Sequence, residues 1–134
     1  MINKAFKYRL YPTAKQKILL QKHFGCTRLV YNLGLELKNL AYRDYGTNLS
    51  GFDLIKQLPE LKKEFTWLKE INSQSLQASL KNLDTAFKNF YRGQNDFPKY
   101  KSKYRGRNSF TVPQGIKIED DKLSITKFRE GIKM

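Results

Sequence analysis

The chain has 134 residues, 40 % of them hydrophobic, which suits one domain or two small interleaved modules and excludes a disordered basic tail. No apolar run approaches the ~20 residues of a membrane span, and Met1-Ile2-Asn3-Lys4 opens no secretory signal. Twenty-six Lys and Arg against twelve Asp and Glu leave a net charge of +14, which points to a polyanionic partner.

Nucleic acid fits that partner better than an anionic membrane or a merely solvated basic face. Nine Phe, eight Tyr and one Trp accompany the charge, and rings serve nucleic-acid binders as stacking platforms. The lone Cys26 makes no internal disulfide, and with the lone His23 it cannot complete a four-ligand zinc site.

Residues 2 to 11 read as a strand, with Phe6, Tyr8 and Leu10 alternating with Lys7 and Arg9. Pro12 ends it. Thr13 and Gln16 then match a capping box that opens a helix. Gly25 is expected to kink or interrupt that helix. Leu29, Val30, Leu33, Leu37, Leu40 and Ala41 carry helical spacing on to about Tyr45, and Gly46 stops it. Ser50 caps a further helix with Asp53 in its first turn, lined by Leu54, Ile55, Leu58 and Leu61 and bent at Pro59. The clearest helix starts at Asn72 or Ser73 and closes at Gly93. Its apolar stripe is Leu76, Leu80, Leu83, Phe87 and Phe90, widened by Ala86 and Tyr91, with Trp67 and Leu68 packed under its start.

After Gly93 no acidic residue but Asp96 appears until Glu119. Phe110 and Val112 suggest short strands. Ile116 and Ile118, a turn at Asp120-Asp121, and Leu123 with Ile125 read as a β-hairpin, and a further strand begins near Ile132. A lone first strand is unstable, so it must pair with the late strands across the helices. The fold class is therefore α+β: a helical block over residues 13–93 inserted into a small antiparallel β module made of residues 1–12 and 94–134. Phe6, Tyr8, Phe87, Phe90 and Tyr91 are expected in the core.

Catalysis finds little material. The acidic cluster Glu119-Asp120-Asp121 reads as a solvated turn, whereas a two-metal nuclease needs about three converging carboxylates. His23 and Cys26 read as a helix-surface histidine and a core cysteine, so no metal or other cofactor is expected. Binding finds more. Lys99, Lys101, Lys103, Arg105 and Arg107 occupy alternate positions, which in an extended strand face one side at about 6.6–6.8 Å intervals. That repeat suits phosphate tracking, with Tyr100 and Tyr104 as anchors on the other side; the alternative is a solvated basic loop. Arg28, Tyr31 and Asn32 share a helix face, where they can either meet phosphate, ring and base edge together or knot the helices internally. Gln74, Gln77, Lys81 and Lys88 lie on the polar side of the last helix, and Lys7 with Arg9 extends the basic surface from the first strand.

Five blocks in order resemble the TnpB family, the OrfB-type proteins of bacterial insertion sequences related to type V CRISPR effectors. They are Phe6-Lys7-Tyr8-Arg9-Leu10-Tyr11-Pro12-Thr13; Gly25 to Asn32; Trp67 to Glu70 with Ser73 to Gln77; Asp84 to Tyr91; and Phe97 to Lys103 with Ser109-Phe110. The resemblance implies a β-barrel wedge module with an inserted helical recognition domain. It also implies guide RNA from the transposon end and target DNA as partners, and a bacterial cytoplasmic, nucleoid-associated setting. An older family description names a helix-turn-helix transposase domain, which leaves a stand-alone helix-turn-helix repressor or accessory protein as the rival reading, and an intact small nuclease as a further one. The family continues into a RuvC nuclease domain and a four-cysteine zinc ribbon. Neither occurs in these 134 residues, so the expectation is a non-enzymatic N-terminal part whose sheet is incomplete at its C-terminal end and prone to self-association at an open edge.

Overall fold

A computed structural model describes residues 3–104 and 106–134. Thr13 opens helix α1 (Ala14–Tyr45) with the full capping box: its hydroxyl accepts from the Gln16 N–H at 3.2 Å, and its own N–H donates to the Gln16 side-chain oxygen at 2.9 Å. Gly46 closes the helix at φ 65°. Between them α1 runs unbroken for 32 residues, so the expected kink at Gly25 does not form. A mid-helix glycine costs only about 1 kcal/mol, which the packing of so long a helix overrides.

Ser50 and Asp53 form a second capping box at helix α2 (Gly51–Ile55). The chain breaks at Lys56-Gln57 rather than at Pro59. Helix α3 (Leu58–Glu64) holds Pro59 in its first turn, where a missing N–H costs nothing. A 3₁₀ turn, Thr66–Glu70, leads to helix α4 (Ser73–Tyr91), capped by the Asn72 side chain on the Gln74 N–H.

The core lies where α1 and α4 run side by side in the same direction. Matched contacts progress along both helices: His23 with Asn72, Thr27 with Ser79, Gly34 with Leu80, and Lys38 with Phe87. Val30, Leu35, Leu54, Leu68, Leu76, Leu80 and Leu83 are fully buried there. Leu68 packs as expected, whereas Trp67 stays half exposed against Phe65. The α4 stripe also ends sooner than its spacing predicts. Phe87 is buried, but Phe90 is only partly covered and Tyr91 is 62 % exposed, because past Phe87 the rings meet Phe97 and each other instead of α1.

Strands β1 (Lys117–Glu119), β2 (Lys122–Ile125) and β3 (Phe128–Lys133) form an open antiparallel sheet in that order. Asp120 and Asp121 make the hairpin turn at φ 49° and 59°, a left-handed pair that aspartate tolerates and a two-residue hairpin requires. The third strand starts at Phe128, earlier than expected from Ile132. Phe110 and Val112, read as strand residues, lie in irregular chain.

The first strand is the main correction. Residues 3–10 form no strand, and Phe6 and Tyr8, expected in the core, are 73 % and 61 % exposed. Among the described residues of this segment only Tyr11 pairs, its N–H donating to the Lys133 carbonyl at 2.6 Å in an isolated antiparallel bridge. The sheet is tied to the helices elsewhere. The Gln16 amide donates to the Gly131 carbonyl at 2.7 Å, and the His23 ring lies 4.8 Å from Phe110 and 5.2 Å from Phe128. His23, read as a surface residue, is fully buried at this junction.

Candidate nucleic-acid interface

Two positions one turn apart on α1 decide the shape of the basic surface. Asn32 clamps the backbone of Lys101 in both directions: its carbonyl oxygen accepts from the Lys101 N–H at 2.7 Å, and its amide donates to the Lys101 carbonyl at 2.9 Å. Arg28 donates to the Asn108 side chain at 2.7 Å. One residue before Lys101, the Tyr100 hydroxyl donates to the Glu36 carboxylate, which pushes that phenol above its usual range. The described residues of this stretch, 99–104 and 106–108, are thereby held against α1 although they have no regular structure.

The held segment, α1 and α4 enclose a cleft of about 430 Å³. Arg28, Lys99, Lys101 and Arg107 line it. Ser75, Ser79 and Asn82, one face of α4, form its opposite side. Among the described residues no ion pair engages Arg28, Lys99, Lys101, Lys103 or Arg107. The cleft therefore presents cations beside neutral hydroxyls and amides, a surface suited to phosphate oxygens.

The four described cations of the alternating run, Lys99, Lys101, Lys103 and Arg107, do not form a straight ladder. A turn at Lys103-Tyr104, with the Ser102 hydroxyl accepting from the Tyr104 N–H at 3.3 Å, and Gly106 at φ 75° redirect the chain. The Asn32 clamp and this turn replace the extended geometry that strict alternation assumes. Lys103 falls outside the cleft lining, Arg105 lies outside the described residues, and Tyr104 is 88 % exposed and anchors nothing.

Tyr31 is buried, which pushes its phenol upward, and its ring carries the Lys101 ammonium at 4.4 Å. Tyr31 and Asn32 thus join the helix to its own neighbouring segment, while Arg28 also reaches the cleft. Gln74 donates to Gln114 at 3.4 Å. Gln74 and Gln77 line a separate groove with Lys62, Lys69 and Lys127, three cations the sequence pattern does not single out because they come from three different elements. Lys81 is exposed on α4, and Lys88 pairs with Asp84 at 3.1 Å. Lys7 and Arg9 lie on the unpaired N-terminal arm, with Arg9 stacked 5.8 Å from the Tyr11 ring.

Glu119, Asp120 and Asp121 are exposed on the hairpin, Glu119 pairing with Lys117 at 3.0 Å, and no group of three His, Cys, Asp or Glu among the described residues could hold a metal ion. Burial raises the Cys26 thiol, which keeps it protonated and inert. No helix among the described residues is long and apolar enough to cross a membrane.

Comparison with known proteins points one way. A family described as a helix-turn-helix domain, of the IS605 OrfB type, matches residues 1–47, which comprise the N-terminal arm and α1. A Streptomyces pristinaespiralis protein with the provisional name RNA-guided DNA endonuclease is 41 % identical over 110 residues, covering 81 % of this chain and 27 % of that protein. InsQ of Escherichia coli K12, with the same provisional name, is 36 % identical over 124 residues, covering 90 % of this chain and 30 % of that protein. The chain thus spans less than a third of either. Virulence protein VsdF of Salmonella dublin is 36 % identical over 112 residues, 94 % of its own length. With the OrfB-type domain at its start and these relatives aligned along most of its length, the chain belongs to the TnpB/OrfB family of transposon proteins.

Proposed function

We propose that this chain is a nucleic-acid-binding module of a TnpB-type protein, taking guide RNA as its main partner and target DNA as its second. The observation that carries the reading is the cleft between α4 and the clamped segment, whose cations have no carboxylate partners among the described residues. The names of the relatives support a nucleic-acid role. The residues present support binding rather than cleavage, because the one acidic cluster is dispersed on an exposed turn. A helix-turn-helix repressor finds less support, since residues 14–45 run as one helix with no turn to set a second against it.

Salt titration tests the reading. Binding to a structured RNA and to duplex DNA should weaken linearly in log–log form, by about 0.7 per phosphate on single strands and 0.9 on duplex. Replacing Lys99 and Lys101, both in the cleft lining, together with Ala should remove about two contacts and flatten the slope by about 1.4–1.8. A folded double variant that keeps the full slope would remove this segment from the interface. RNA bound no better than duplex DNA would displace guide RNA as the main partner.

A further inference from the structure

A second cavity, of about 650 Å³, lies where the end of α1 approaches the end of α4, and it shares no lining residue with the cleft. Its walls are aromatic. Tyr42, Tyr91 and Phe97 line it and remain 69 %, 62 % and 45 % exposed. The rings are not loose. Phe97 stands edge-on to Phe87 at 5.3 Å and to Phe90 at 5.2 Å, and Phe87 belongs to the core. Edge-to-face contacts of this kind fix ring orientation.

The cavity also contains charge. Lys38 is 6 % exposed, with its ammonium 4.5 Å over Phe87. That ammonium donates to the Asn48 side chain at 3.0 Å and to the Leu49 carbonyl, both neutral. No carboxylate forms an ion pair with it among the described residues, and Asp84 and Asp53 act on it only from a longer distance. Arg43 stands at the same cavity, its Nε paired with the exposed Asp44 carboxylate at 3.1 Å, which leaves its other guanidinium nitrogens for a ligand. A purely apolar segment seated here would further desolvate Lys38 and gain nothing from it. A flat aromatic ligand that brings its own negative charge satisfies both walls and cations.

We propose that this cavity is a stacking site for one unpaired nucleotide, with Tyr42 and Tyr91 taking the base face and the cations favouring its phosphate. The inference rests on the nucleic-acid function proposed above and adds a base-binding position apart from the phosphate-lined cleft. A volume of this size lies within the range of small-ligand pockets, about 300–1,000 Å³.

The test uses the full chain and two single-stranded oligonucleotides of equal phosphate number at one salt concentration, one of adenosines and one abasic. The chain should bind the adenosine strand more tightly. Tyr42→Ala and Tyr91→Ala should each lower adenosine-strand affinity about 5-fold or more while leaving abasic binding unchanged. Tyr42→Phe and Tyr91→Phe should retain the preference. If Tyr91→Ala fails to fold, Tyr42→Ala, at an exposed helical position, carries the test alone. Equal binding of both strands by the unaltered chain overturns the stacking site and leaves the phosphate-binding reading standing. No binding of either strand overturns both. Alanine variants that change self-association and not strand preference assign the cavity to a protein partner and also overturn the proposal.

Discussion

Asn32 sits among cations on a basic surface, yet both ends of its side-chain amide hold the backbone of Lys101. Spacing alone shows that Arg28, Tyr31 and Asn32 share a face. It cannot show that an irregular segment some seventy residues later folds back onto that face, because nothing local encodes the contact. His23 was hidden for the same reason. Its sequence neighbours mix polar and apolar residues and mark no face, while Phe110, Phe128 and Asn72, which enclose it, come from three later segments. The ring is held neutral: Nδ1–H donates to the Leu19 carbonyl at 2.8 Å, and Nε2 accepts from the Asn72 N–H at 3.3 Å. Burial lowers its pKa, the Leu19 bond opposes that in part, and Lys127 adds to the lowering. A histidine lowered in the folded state binds its proton more readily when unfolded, so stability rises with pH across this window. The contribution should be complete above the ordinary value of about 6.5 and be lost as pH falls below it, at no more than about 1.4 kcal/mol per pH unit. Urea unfolding at pH 7.5 and 5.5 checks this. His23 is the only histidine, so His23→Gln should shrink the difference between the two pH values. An unchanged difference would assign it to carboxylates.

At the scale of elements, capping chemistry reads directly from sequence, because a capping box is contained within four residues. Thr13 with Gln16 forms the box its spacing predicts, and Ser50 caps α2 as expected, with Asp53, expected only as a first-turn residue, closing a second box. Glycines inside a helix do not read directly. Gly25 and Gly34 look equivalent along α1, but their surroundings differ. A Cβ on Gly25 would meet only the Arg28 guanidinium at 3.8 Å, an ordinary contact. A Cβ on Gly34 would stand 2.7 Å from Leu80 and 3.0 Å from Leu83, both fully buried, so Gly34 sets how closely α1 approaches α4. Opposite signs are expected. Gly25→Ala should stabilise by about 0.5–1 kcal/mol through helix propensity and a less free unfolded chain. Gly34→Ala gains the same propensity but overpacks the interface at about 1–3 kcal/mol, a net loss of up to about 2 kcal/mol. Denaturant midpoints of the two variants decide it, and a stabilised Gly34→Ala would mean that the leucines can repack.

For the whole molecule, the order of helices followed by a hairpin was legible because each element has its own period. The pairing of the first strand was not, because alternation shows that a segment suits a strand and not which backbone it meets: of residues 3–11 Tyr11 alone pairs, with Lys133. Charge was legible at once and has a global consequence. A net +14 on 134 residues repels itself in the folded state, and the five ion pairs among the described residues are largely exposed and contribute little in return. Salt screens repulsion between exposed charges once the Debye length falls to about 10 Å or less, near 0.1 M and above. Thermal stability should therefore rise between low salt and about 0.5 M sodium chloride, while nucleic-acid affinity falls over the same range. The two responses have opposite signs because one relieves repulsion within the chain and the other weakens its attraction to phosphate. The same logic makes a polyanion a stabiliser: RNA at low salt should raise the melting temperature by mass action, and added salt should erase that gain. Differential scanning fluorimetry across a salt series, with and without RNA, gives both curves. A melting temperature that falls steadily with salt in the free chain would show that the exposed ion pairs outweigh the excess positive charge, and the surface would then be balanced for folding rather than left positive for a partner.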